Sequence, residues 1–168
     1  EMIENNRLIG GLTPECAEKA ADIHRLFSHG EIQLTDASSA EMAKLAENSF
    51  RDVNIAFANE LSMICDKLEL DVWDIIRMAN RHPRVQILEP GPGVGGHCIA
   101  VDPWFVVGSA PEESVLIRAA RTVNNSKPQH VLCQVLRTAG RFKDPVIACL
   151  GLSYKANVDD VRESPAVE

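Results

Sequence analysis

The 168-residue chain has no surplus of basic residues, no long apolar run and no paired cysteines. Each absence excludes something. Lys and Arg number 17 against 24 Asp and Glu, a formal net charge of −7. The basic stripe that marks a nucleic-acid binder is missing, so no nucleic acid is expected as a partner. No stretch approaches the ~18 uninterrupted apolar residues of a spanning helix, and no membrane partner is expected either. A charged-then-apolar leader is also lacking; the chain opens EMIENNRLIGG, which reads as cut from something longer. The five cysteines (Cys16, Cys65, Cys98, Cys133 and Cys149) are odd in number and form no C-x-x-C pair. That argues against a disulfide framework or a structural zinc site and for a reducing, cytoplasmic setting.

Glycine and proline are absent from Glu31 to His82, a gap natural to helices and rare in loops. Ser38 and Glu41 match the capping box S-x-x-E. From Met42 through Leu45, Ser49, Val53, Ala56, Phe57, Leu61 and Ile64 to Leu68 the spacing is helical. It predicts one helix of about 27 residues, well beyond the usual 10–14. Lys44, Asn48, Asp52 and Asn59 fall on its opposite face, with Lys44 and Asn48 one turn apart. That polar face reads as solvated. A second helix is expected after Asp71 as cap, with Asp74 in its first turn, stopping near Pro83.

What is present elsewhere is 45% hydrophobic residues, enough for a core. RLIGG reads as a strand, and Thr13 with Pro14 opens a helix running to about Ser28, ended by Gly30. EIQLT reads as a second strand. Residues 104–140 read as mostly helical, with Pro111 opening one helix and Pro128 opening or kinking another. PVIACLGLSY reads as a fully apolar strand, and KANVDDVRESPAVE as a loop entering a helix. Both ends look like parts of larger supersecondary units.

The stretch EPGPGVGGHCIAVDPW, Glu89 to Trp104, sets four glycines and two prolines before one cysteine. Gly91, Gly93 and Gly96 fit G-x-G-x-x-G, but no strand precedes them and Pro92 and Pro103 break the expected helix. A better account is a backbone scaffold: glycines permit positive φ and close approach of a ligand, and prolines stiffen the loop. A thiol set there, Cys98, is expected to be exposed among N–H donors that favour a thiolate and a neighbouring oxyanion. A Cys98–His97 pair is disfavoured because sequence neighbours seldom face each other. His97, Cys98 and Asp102 as a metal site lack a matching second pair, and no metal is expected. The other four cysteines stand among apolar neighbours and read as small buried hydrophobes.

Three segments carry a resemblance. EMAKLAENSFRDVNIAFANEL, GPGVGGHCIAVDPWF and SYKANVDDVRESPA occur in this order in the UDP-glucose/UDP-mannuronate dehydrogenase family, which the chain resembles over essentially its whole length. The resemblance implies the end of an NAD-binding Rossmann domain at 1–37 and a central helical dimerisation domain at 38–128. It implies the start of a UDP-binding Rossmann-like domain at 129–168. The fold class expected is thus mainly α, flanked by truncated α/β pieces.

The family oxidises the C6 alcohol of a UDP-sugar to a carboxylate with two NAD. Carried over by position, Cys98 becomes the nucleophile that forms a thiohemiacetal and then a thioester. Lys44 and Asn48 stabilise charge on the reacting oxygen, and Asp102 helps activate water. The backbone of Gly91, Gly93, Val94, Gly95 and Gly96 wraps the sugar nucleotide, with His97 beside it. Arg84 reaches the other subunit's substrate, Lys155 contacts substrate, and Arg162 faces the NAD phosphates. A homodimer through the 40–68 helix is implied. Many UDP-glucose enzymes carry CFxKD where this chain has CIAVD; Ile99 and Val101, with His97, favour an N-acetylated sugar. UDP-N-acetyl-D-mannosamine is the expected substrate, UDP-N-acetyl-D-glucosamine the alternative. From another class, the chain could act only as a dimerisation module, and alone it is expected to bind no NAD.

Overall fold

A computed structural model describes residues 3–167. The chain divides into two compact units, the first ending at Glu47 and the second beginning at Asn48. In the first unit, β1 (Arg7–Gly11), α1 (Pro14–Arg25) and β2 (Ile32–Asp36) form a parallel two-stranded β-α-β unit, with Ile9 opposite Leu34. Thr13 caps α1, its hydroxyl accepting from the Cys16 amide at 3.3 Å, and Pro14 opens the helix. The core here is small: Ile9 from β1 with Ala17 and Ala21 from α1. α1 ends at Arg25, three residues short of the expected Ser28, because its last turn tightens: the Leu26 and Phe27 amides donate three residues back, to the Ile23 and His24 carbonyls.

α2 (Ala37–Leu68) follows β2 with no linker. Its start is set by Asp36 in place of the Ser38–Glu41 box. The Asp36 carboxylate accepts from the Ser39 amide at 2.9 Å and from the Ser39 hydroxyl at 2.6 Å. Those two bonds hold its pKa below the usual carboxylate range. One residue therefore closes a strand and caps a 32-residue helix.

The second unit holds most of α2, then α3 (Val72–Ala79), α4 (Asp102–Ser109) and α5 (Val115–Ala139). Asp71 caps α3 as expected, accepting from the Trp73 and Asp74 amides at 2.8 and 3.2 Å. α3 stops at Ala79, before Pro83. Its last-turn neighbour Asn80 then clamps the chain beyond, donating to the Ile87 carbonyl at 2.9 Å and accepting from the Ile87 amide at 2.7 Å.

Pro103 does not break a helix; it sits in the first turn of α4, where its missing N–H costs nothing. Pro111 lies in a turn ahead of α5, which starts at Val115, and Pro128 lies inside α5. There it removes the helical bond to the Asn124 carbonyl.

Beyond Lys44, which is exposed as expected, the polar face of α2 is not solvated. Asn48, Ser49, Asp52 and Asn59 are buried, while Phe50, Phe57, Ile64 and Leu68 are exposed. The reason is α5, which buries Arg121, Asn124 and Lys127 at helical spacing against that face. Arg121 Nη1 donates to Asp52 Oδ1 at 2.7 Å, and Asn124 Nδ2 donates to the same oxygen at 2.8 Å. Asn59 Nδ2 donates to Asn124 Oδ1 at 2.9 Å, and Lys127 Nζ donates to Ser62 Oγ. Two helices thus meet through a polar seam that is only partly satisfied: Ser49 Oγ, Asp52 Oδ2 and Arg121 Nε are buried without a hydrogen-bond partner among the described residues.

Burial pushes the Lys127 ammonium below its ordinary range, against the raising effect of the Asp66 charge. The unfolded chain then binds more protons than the folded one between the folded pKa and the ordinary lysine value of 10.5, so this group makes stability rise with pH there. Lys127→Met should remove that rise. Denaturation midpoints of the two proteins measured from neutral pH to pH 10 check it; parallel curves would refute the assignment.

No strand forms at 145–154. An apolar strand needs a neighbour for its ladder, and among the described residues none is paired with it; Val146 and Leu150 are almost fully exposed. The same exposure corrects the cysteines. Only Cys65 is buried, while Cys16, Cys98, Cys133 and Cys149 are exposed. Apolar sequence neighbours do not bury a thiol whose helix face or segment has no packing partner.

Candidate active site

The glycine loop lies between α3 and α4 in the second unit. Its first glycine is held by α2: the Gly91 amide donates to Asn59 Oδ1 at 2.9 Å. Its far end is held by α2 as well, since Asn48 Nδ2 donates to Asp102 Oδ2 at 2.5 Å. Between them, Gly93 and Gly96 take positive φ, 150° and 84°. The Cys98 carbonyl accepts from the Val101 and Asp102 amides at 3.2 and 2.8 Å, a turn that leads into α4. Cys98 is exposed on this turn, and Asp102 opens α4 with its carboxylate on Asn48. An exposed thiol, a carboxylate and a carboxamide are thereby brought into one short piece of structure.

The glycines make room for protein. A Cβ on Gly93 would stand 2.8 Å from Pro165, and one on Gly96 would stand 2.9 Å from the Tyr154 ring. At Gly95 it would stand 2.6 Å from both the Glu163 carbonyl and Tyr154 Cβ. Glu163 itself adopts φ 52°, uncommon for a residue with a side chain. The segment is tied internally by Ser164 Oγ on the Leu152 carbonyl at 2.5 Å and Ser153 Oγ on the Val158 carbonyl at 2.8 Å. Gly95→Ala should therefore displace the segment 152–165, because its clash is with backbone. Trypsin would then cut after Lys155 and Arg162 several-fold faster; an unchanged digestion pattern would show that the loop absorbs the methyl.

Other expected site residues are more dispersed. Lys44 stands one turn before Asn48 on α2 but belongs to the first unit; it is exposed, with Nζ 3.0 Å from Glu47 Oε2. Arg84 is exposed in the turn that Asn80 closes, its amide 3.3 Å from His82 Nδ1. Val94 is half-buried, and His97 and Lys155 are exposed. Arg162 is held by Asp160, with Nε and Nη2 at 2.9 and 2.8 Å from its oxygens. Those bonds drive the Asp160 pKa far below the usual carboxylate range. A cavity of about 410 Å³ beside the loop is lined by Val94, Val101, Trp104, Arg121, Asn124 and Pro165, among others.

Sequence reading missed Arg121, Asn124 and Lys127. Their signal was available: three polar residues recurring every three positions within VLIRAARTVNNSKPQHV. Among the described residues no group of three or more His, Cys, Asp or Glu could hold a metal ion.

A helical domain thus presents a thiol from a glycine loop, with a carboxylate–amide pair at the loop's end. Residues 38–126 match the UDP-glucose/GDP-mannose dehydrogenase family, central domain, and the chain belongs to that family. It is 65% identical over 168 residues to the NDP-N-acetyl-D-galactosaminuronic acid dehydrogenase of Ralstonia nicotianae, covering all of this chain and 40% of that protein. It is 56% identical to the UDP-N-acetyl-D-mannosamine dehydrogenase of Campylobacter jejuni, covering all of this chain and 41% of that one. Among solved structures, the UDP-N-acetyl-mannosamine dehydrogenase of S. aureus superposes with a TM-score of 0.90 at 50% identity, over 99% of this chain and 40% of that one. The chain thus spans about 40% of the length of these relatives.

Proposed function

We propose that the chain is the substrate-handling part of an NAD-dependent UDP-sugar 6-dehydrogenase. The observation that carries this is the Asn48–Asp102 bond at the end of the Cys98 turn, within the segment matched to the family. UDP-N-acetyl-D-mannosamine is the proposed substrate. UDP-N-acetyl-D-glucosamine is the alternative, and the Ralstonia relative adds a sugar of the galactosamine series to the panel. Assay of the whole enzyme with all three UDP-sugars, with the acid identified by mass spectrometry, tests this. Oxidation of none of them would sink it. The domain division at 37/38 and 128/129 and a cytoplasmic setting belong to the same proposal; no helix among the described residues is long and apolar enough to cross a membrane.

The Gly91–Gly96 loop lacks the strand-then-helix setting of a dinucleotide fingerprint. The loop follows no strand, its glycines are backed by Tyr154, Glu163 and Pro165, and Arg162 is engaged by Asp160. NAD is proposed as the hydride acceptor of the whole enzyme, and what this chain supplies is the sugar end. Cys98 Sγ, as thiolate, adds to a C6 carbonyl; the C–S bond forms and the carbonyl pair moves to oxygen. The second Asn48 N–H, with Lys44, is assigned to that oxygen. After hydride loss from C6 to the acceptor, a water attacks the thioester, Asp102 takes one proton from it, and the C–S bond breaks to release the thiolate and the carboxylic acid, whose remaining proton passes to solvent. Asn48 orients Asp102 for this step.

A homodimer through the exposed apolar side of α2 completes the proposal. Phe57, Ile64 and Leu68 are exposed there, and a two-fold contact would cover the same patch on both chains. Arg84 is assigned to the partner's site. Sedimentation should give a dimer, and mixing Cys98→Ala with Arg84→Ala subunits of the whole enzyme should restore turnover. A monomer at high micromolar concentration, or no restoration, would count against it.

A further inference from the structure

Asn48 and Asn59 are eleven residues apart on α2 and both buried. Eleven residues make three helical turns, so the two amides share one face, about 16 Å apart along the axis. Gly91 and Asp102, the groups they hold, are also eleven residues apart. An extended chain of that length reaches roughly 36–40 Å. More than half of the loop's contour is therefore slack, and it must bow away from the helix. The positive φ at Gly93 and Gly96 and the turn at Cys98 take up that slack.

We propose that Asn59 is a positioning residue for the glycine loop: with Asn48 it pins both ends of the loop to one face of α2, and the forced bow presents Cys98 and the loop amides to the sugar nucleotide. This rests on the reading of that loop as the substrate loop. Asn59 is fully buried and uses both ends of its amide, Oδ1 toward Gly91 and Nδ2 toward Asn124. Asn124 in turn donates to Asp52, which Arg121 holds, so the pin is anchored in the α2–α5 seam. An apolar residue at 59 could fill the space but would leave the Gly91 N–H without its acceptor.

The test is hydrogen–deuterium exchange over residues 88–97 of the full-length protein, paired with steady-state kinetics on UDP-N-acetyl-D-mannosamine. Asn59→Ala should speed exchange in this segment roughly tenfold beyond any general increase. It should raise KM about tenfold while kcat stays within about twofold. Asn59→Asp keeps an acceptor for Gly91 but loses the donor to Asn124. It should lower the unfolding midpoint yet retain loop protection and KM. Equal loosening of the loop in both variants, or a loop unmoved in Asn59→Ala, overturns the proposal, as does a KM that does not move. Should the wild-type protein oxidise no UDP-sugar, the functional reading falls by itself, and the exchange data still decide whether Asn59 holds the loop.

Discussion

Cys98→Ser in the whole enzyme is expected to bind the UDP-sugar almost normally and to stop short of the acid. A hydroxyl is a poorer nucleophile than a thiolate, and an ester formed in its place would stall before hydrolysis. NADH counted per sugar consumed, with product analysis, separates the steps. Two NADH per sugar at near-normal rate would return Cys98 to a structural role in the loop. Lys44→Ala should differ by slowing the first oxidation too, since one donor to a developing oxyanion is typically worth roughly 10²–10³ in rate. Alkylation is the weaker test. Cys16, Cys133 and Cys149 are exposed alongside Cys98, so accessibility alone does not single out the nucleophile.

The largest loss of stability is expected from Arg121→Ala. Arg121 and Asp52 form an ion pair at 2.7 Å with side chains 3% and 0% exposed. Burial already pushes the Asp52 carboxyl up, against the lowering effects of Arg121 and Asn124. Removing Arg121 leaves that charge buried with less compensation, a cost of about 3–5 kcal/mol. Arg121→Met with Asp52→Leu should recover most of it, because apolar residues of similar volume need no compensation. Chemical denaturation of the single and double variants measures both. A double variant no better than Arg121→Ala would show that the seam works through Asn124 and Asn59 more than through the ion pair.

Local signals were legible where the chemistry is local. Thr13 and Asp71 satisfy backbone donors within three residues of themselves, Pro14 presents no N–H at the first helical position, and the two helices start where expected. The long helix was legible from its missing glycine and proline, yet the face it buries was inverted. An apolar stripe says only that something must cover it, whereas the polar stripe found its partner in residues 121–127, more than sixty positions away. Cys98 and Asp102 were nominated through family resemblance, and the bond from Asn48 to Asp102 was not foreseen, because it depends on how α4 meets α2. The glycines were read as space for a ligand; Tyr154 and Pro165 occupy part of it.

The matched spacing of the two asparagines bears on which lengths of chain evolution can try. One residue inserted or deleted between Asn48 and Asn59 would turn one of them about 100° around the helix and leave an end of the loop unheld. One added between Gly91 and Asp102 would only deepen the bow, away from the Cys98 turn and the tightly backed glycines. Related sequences should therefore be free of gaps across residues 48–59 of the helix, and any length variation should fall in the loop it holds.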